Sequence, residues 1–201
     1  MGAIFQSLGR TITAGVVVLI VLLALLIAAA GANVALGEHS WWQFVMRWLH
    51  VTAGVMWIGL LWYFNFVQTP SMPKIPDEQK PAISKVIAPA ALFWFRWAAM
   101  ATLILGAILA WMNGYLGQAL TLQKPFTPIG IGMWLGIIMW FNVWFIIWPN
   151  QKKALGIVQV AAEQKAAAAR MAGMASRFNT MLSIPMLYFM VAQQHAGVAF
   201  R

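Results

Sequence analysis

The stretch WWQFVMRWLHVTAGVMWIGLLWYFNFVQ, Trp41 to Gln68, decides the fold. It is long enough to cross a bilayer as a helix, yet it holds Arg47 and His50 in its outer third. Ionisable groups are costly in lipid, so they face a bundle interior, a water-filled cavity or a bound cofactor. Gly54 follows one turn beyond His50 on the same helix face and leaves a patch without side chains where a flat macrocycle could lie. The alternative is a neutral buried histidine bonded to a neighbouring helix, with Gly54 and Gly59 there for close helix packing.

Composition agrees with a membrane reading. The chain of 201 residues is 62% hydrophobic and 8% charged, with a mean hydropathy of +0.77, more apolar surface than a soluble domain of this length can hide. The net charge of +9 would suggest nucleic acid in a soluble protein. Here the basic residues sit mostly in loops and at helix ends, where membrane topology accounts for them and no nucleic-acid partner is needed. The sequence has no cysteine, which excludes disulfides, all-cysteine iron–sulfur ligation and a covalently attached c-type haem. Any metal or haem must be held by His, Met or oxygen ligands.

Working outward, apolar runs predict an all-α integral membrane protein, a single membrane domain built as a bundle of about five transmembrane helices. The expected spans are 12–36, 41–68, 87–112, 129–148 and 180–200. The first resembles a signal peptide but is long for one, and is read as a retained span. Residues 69–85 carry prolines at 70, 73, 76 and 81 with mixed charges, and read as a loop outside the hydrocarbon. Residues 151–178, rich in Ala, Lys, Arg and Gln, read as a helix on the cytoplasmic membrane surface. Arg96, inside the third span, is expected to snorkel to the interface. If the spans alternate, Arg10, Lys74, Lys80, Lys85, Lys152, Lys153, Lys165, Arg170 and Arg177 fall on one side, against Lys124 and Arg201 on the other. The positive-inside rule then sets the N-terminus in the cytoplasm and the C-terminus in the periplasm of a bacterial inner membrane.

This topology pairs two distant histidines. At 1.5 Å per residue, His50 and His195 lie roughly 13 Å and 9 Å below the same face. Two imidazoles at similar depth on separate helices suit the axial positions of a b-type haem. Arg47, one turn outward, could pair with a propionate, and Gln193 or Gln194 could orient the His195 imidazole. His39, in the link before the second span, reads as a solvated interfacial residue. Two other readings stand: structural histidines bonded to backbone or water, and a copper or zinc site aided by Met181, Met186 and Met190.

Three segments, RWLHVTAGVMWIGLLWYFNFVQTP at 47–70, MWFNVWFIIWPNQKK at 139–153 and SRFNTMLSIPMLYFMVAQQH at 176–195, resemble the bacterial membrane-bound urate hydroxylase family, in the part called the urate oxidase N-terminal domain. NVWFIIWPNQ is the most specific piece; LHxxxGxxWxG at 49–59 is similar also to other membrane haem or copper-handling proteins, including membrane-embedded protoporphyrinogen oxidases. In the family a histidine in the second span and another near the end of the last recur, and these fall on His50 and His195. Longer members carry a C-terminal cytochrome c domain, so the resemblance implies an electron acceptor supplied here by a separate cytochrome c or by other membrane subunits. The expectations are a haem b electron-transfer subunit, a membrane oxidoreductase acting on urate or a related reductant, or an accessory subunit without chemistry of its own. Arg47 with Gln193 or Gln194 is the only polar group in the sequence reading that could meet a heteroaromatic substrate.

Overall fold

A computed structural model describes residues 2–31 and 34–195, and these are helical throughout apart from turns. In chain order the helices are α1 (Gly2–Phe5), α2 (Leu8–Ala30), α3 (His39–Trp62), α4 (Thr69–Ser71), α5 (Lys80–Ala82), α6 (Ala88–Met112), α7 (Leu116–Leu120), α8 (Thr127–Phe141), α9 (Trp148–Ala154) and α10 (Ala162–Ala192). Four helical stretches among the described residues are long and apolar enough to cross a membrane: Leu8–Ala29, His39–Lys74, Lys80–Met112 and Thr127–Ala154. The chain forms two compact units, Met1–Trp42 and Gln43–Arg201. In the first, α2 is apolar on every face from residue 14 onward and none of the side chains described in it is buried, the pattern of a helix whose solvent is lipid.

The second unit is an antiparallel bundle of α3, α6, α8–α9 and α10. Gln43 Nε2 donates to the Met112 carbonyl, and the Phe64 and Phe95 rings meet edge to face at 5.8 Å, so α3 and α6 run in opposite directions. Gln193 reaches the Ile129 N–H at one end of α10, and Asn179 meets Asn142 farther along, which sets α10 antiparallel to α8–α9. Trp57, Leu61, Phe95, Ala99, Met139 and Val143 form the centre of the core. Small residues bring backbones together: a Cβ built on Gly132 would lie 3.1 Å from the Met190 amide nitrogen, and one on Gly130 would overlap the Ala119 carbonyl.

Each long helix of this unit apart from α10 contains a π-helical segment with a proline two residues after its end. The segments are Tyr63–Gln68 before Pro70, Ile83–Ile87 before Pro89, and Asn142–Ile147 before Pro149. A proline ring has no N–H and crowds the carbonyl four residues back. The turn widens ahead of it, and the N–H just before each proline bonds five residues back: Thr69 to Phe64, Ala88 to Ile83 and Trp148 to Val143.

The expected surface helix 151–178 and last span 180–200 are drawn differently in the structure. The helix of the fourth span continues through Lys152 and Lys153 to Ala154, and Gly156, at φ +75°, begins a turn. Residues 162–178 then run without interruption into 180–192 as one 31-residue helix. Average composition does not show the packed face of this segment: Ala168 and Ala172 lie on the face that continues with Asn179, Ser183 and Met186, and all five are buried in the bundle. Residues 196–200 of the expected last span lie outside the described residues.

Candidate functional site

His50 sits on α3 with its ring against α6. Its Nδ1 is 2.9 Å from the Thr102 carbonyl oxygen. A carbonyl only accepts, so Nδ1 carries the proton and Nε2 presents its lone pair. Gly106, one turn beyond Thr102, makes room for the ring: a Cβ there would fall 2.7 Å from His50 Cε1 and 2.9 Å from Nδ1. Gly54, the expected close-approach position, has no such constraint, because its Cβ would meet only Thr102 Cγ2 at 3.8 Å. The close contact with the His50 ring comes from Gly106 on α6, which local spacing on α3 does not disclose.

The other expected site residues spread around this end of the bundle. Arg47 is partly buried, and its charge is felt by the Tyr115 hydroxyl in the turn after α6. Burial pushes the Tyr115 phenol up from its ordinary pKa and Arg47 partly offsets that rise. The Tyr115 ring stacks on Phe126 with centroids 5.1 Å apart. His195 and Gln194 follow the last turn of α10 and are exposed, whereas Gln193 is tied to the backbone, donating to the Pro125 carbonyl and accepting from the Ile129 N–H. His39 is exposed at the start of α3, as its position in the polar link predicts. No hydrogen bond joins His50 to His195, and among the described residues no three His, Cys, Asp or Glu side chains gather as a metal site. Of the methionines considered as metal ligands, Met186 is in the core, Met190 packs on Gly132, and Met181 is exposed. Arg96 does not simply snorkel: its guanidinium lies over the Trp148 ring, 3.3 Å from the centroid, with Trp144 at 5.9 Å.

A second polar region, in the half of the bundle away from Gln43 and Met112, was not visible as a group in the sequence. Asn179, fully buried, accepts from Asn142 Nδ2 and donates to the Met139 carbonyl. Trp62 Nε1 donates to Ser183, and Asn65 donates to Ser176. These bonds tie both α3 and α8 to α10. Beside them opens a cleft of about 470 Å³, and residues of all three π-helical segments line it: Asn65 and Gln68, Ile83 and Ser84, and Ile147. Such segments are frequent at functional sites because the widened turn alters which side chains project. The prolines were the available signal, but the convergence of the segments is a tertiary fact.

The comparisons bear on the second half of the chain. No curated protein and no solved structure matches it. Residues 124–201, which contain α8, α9 and α10, match the model of the urate oxidase N-terminal family, the family that the segments at 139–153 and 176–195 resemble.

Proposed function

We propose that this chain is a haem b electron-transfer subunit of a membrane redox complex, with His50 and His195 as axial ligands and Arg47 as propionate partner. The observation that carries the reading is the set of contacts around His50. An imidazole that donates Nδ1–H to a fixed carbonyl and keeps Nε2 for a ligand bond is the arrangement of metal-bound histidines, and Thr102 supplies that carbonyl. Gly106 admits the ring against α6, since any side chain there would collide with it. His195 supports the pairing by its level: counted from the Trp62–Ser183 hydrogen bond, His50 and His195 lie equally many residues toward the same end of the bundle. When bound, haem supplies a one-electron carrier; the chain's own residues hold it, fix the His50 tautomer and neutralise a carboxylate through Arg47. The charge distribution supports a multi-pass arrangement in a bacterial inner membrane, N-terminus cytoplasmic and C-terminus periplasmic, next to other membrane subunits or a periplasmic cytochrome c.

The test is a dithionite-reduced minus oxidised visible spectrum of the purified chain, with a pyridine haemochrome assay. A b-type signal near one haem per chain is expected. His50→Ala and His195→Ala should each abolish the low-spin spectrum and His39→Ala should leave it intact; a normal spectrum in either of the first two removes that ligand. A second reading, a membrane oxidoreductase acting on urate or a related reductant with an external cytochrome c as acceptor, is favoured by the family match over residues 124–201. Urate added anaerobically to the oxidised protein reduces the haem in that reading and leaves it oxidised in the first.

A further inference from the structure

The cleft beside the π-helical segments has the features of a site for an amphiphile. One wall is apolar, made by Phe64, Leu92, Phe95 and Ile147. Facing it on α10 are Arg170 and Arg177, seven residues apart and so nearly on one line of the helix, roughly 10 Å from each other along its axis. Both are exposed, and neither has an ion-pair or hydrogen-bond partner among the described residues. Gln68 Oε1 is buried at the cleft with no donor. A buried acceptor in that state favours any ligand group that donates to it.

The surroundings fix the sign of the ligand. Residues 69–85, which the structure folds mostly into short helical turns rather than the expected loop, and residues 151–177 carry Lys74, Lys80, Lys85, Lys152, Lys153 and Lys165 besides the two arginines. Of their acidic residues, Asp77 is already paired with Lys80, and neither Glu78 nor Glu163 lines the cleft. A head group here meets two free guanidiniums, which bind phosphate oxygens through charge-assisted hydrogen bonds. Gln68 then calls for a hydroxyl beside the phosphate, and the Phe64–Phe95 wall calls for a hydrocarbon chain.

We infer that this cleft binds a phosphodiester lipid with a hydroxylated head group, its phosphate between Arg170 and Arg177, its hydroxyl donating to Gln68 Oε1 and its acyl chain along the Phe64, Leu92 and Phe95 wall. The site lies on a different part of the bundle from His50, so lipid binding is read independently of haem. It also gives the three proline-linked π segments a common purpose, since each contributes to the lining of the same site.

Native mass spectrometry of the purified chain in a neutral maltoside detergent, titrated with phosphatidylglycerol, phosphatidylcholine or phosphatidylmethanol, tests this. One phosphatidylglycerol per chain should be retained in preference to phosphatidylcholine. Arg170→Gln with Arg177→Gln should weaken retention by about tenfold or more, while Lys74→Gln with Lys85→Gln, the same loss of charge at residues that do not line the cleft, should stay within about twofold. Gln68→Leu should erase the preference for phosphatidylglycerol over phosphatidylmethanol, which lacks the hydroxyl. Equal weakening in the two double variants, equal binding of phosphatidylcholine, or displacement of the lipid by inorganic phosphate at matching concentration each overturns the proposal. A Gln68→Leu variant that keeps the hydroxyl preference overturns the head-group orientation. Because both arginines are exposed and unpartnered, unchanged unfolding midpoints of the lipid-free double variants will show that the effect is on binding.

Discussion

The two halves of the second unit solve the problem of polar groups inside a membrane bundle in opposite ways. Around His50 there is one ring, one carbonyl and one glycine: Thr102 bonds the imidazole and Gly106 gives it space. Around Asn179 the solution is distributed, with Asn142, Met139, Ser176, Ser183, Trp62 and Asn65 linked across three helices. The first arrangement leaves an imidazole nitrogen available for chemistry. The second pairs its amides and hydroxyls with one another and locks α3 and α8 onto α10; among the described residues Gln68 Oε1, at the cleft edge, is left as a buried acceptor without a donor, beside the unpartnered indole N–H groups of Trp57, Trp140 and Trp144. A half that presents a reactive group is thereby separated from a half that holds helices together and frames a binding cleft.

The sharpest way to break this contrast is at Gly106. Gly106→Val forces the His50 ring away from the Thr102 carbonyl, because Cβ alone would lie 2.7 Å from Cε1. Overpacking of this kind should destabilise by about 1–3 kcal/mol and shift any spectrum that depends on His50. Gly54→Ala, whose Cβ meets nothing closer than 3.8 Å, should change the thermal midpoint little. If both variants behave alike in unfolding and in spectrum, the His50 half owes nothing to Gly106.

Next in size is the distributed network. Asn179→Ala strands Asn142 Nδ2 and takes one of two donors from the Met139 carbonyl, which keeps the Asn142 backbone N–H, and should destabilise by about 1–2 kcal/mol. Pairing it with Asn142→Ala in a double-mutant cycle should give a coupling of about 0.6–1.7 kcal/mol, measured as the loss of resistance to a denaturing detergent. Additive effects would mean that the two amides act separately. Arg96→Gln comes third. It removes the guanidinium from the Trp148 face and should cost about 0.5–1 kcal/mol, with Arg96→Lys recovering only part of it.

What the sequence discloses about these halves follows from the range of each interaction. The apolar runs and the ionisable residues inside Trp41–Gln68 are local, and they lead to His50 and to helices that can cross a membrane. Thr102 and Gly106 lie more than fifty residues farther on and meet His50 from another helix, beyond the reach of local spacing on α3. Residues 151–178 look like a surface helix because charge and alanine dominate their average, while the buried face of Ala168 and Ala172 appears only when the helix is followed through Asn179 to Met186. Prolines 70, 89 and 149 are plain in the sequence, yet a proline announces only a local widening of its helix. That three such places line one cleft depends on how α3, α6, α9 and α10 pack.

The smallest effect tests the outer edge of the His50 half, through Tyr115. Burial raises its phenol pKa above the ordinary value of about 10, and the nearby Arg47 charge limits the rise. Over the interval between the unfolded and the folded pKa, the folded chain holds a proton that the unfolded chain has lost, so stability falls as pH increases. The contribution of Tyr115 is therefore complete below about pH 10 and is lost as pH climbs through the raised folded value. Thermal unfolding of the wild type and Tyr115→Phe between neutral and strongly alkaline pH should give curves that diverge only above that point, the variant declining less because it has no phenol to ionise. Arg47→Gln should extend the decline to higher pH, since removing the cation allows the phenol pKa to rise further. Parallel curves for wild type and Tyr115→Phe would mean that folding does not hold the proton on this phenol, and would remove burial of Tyr115 from the outer edge of the His50 half.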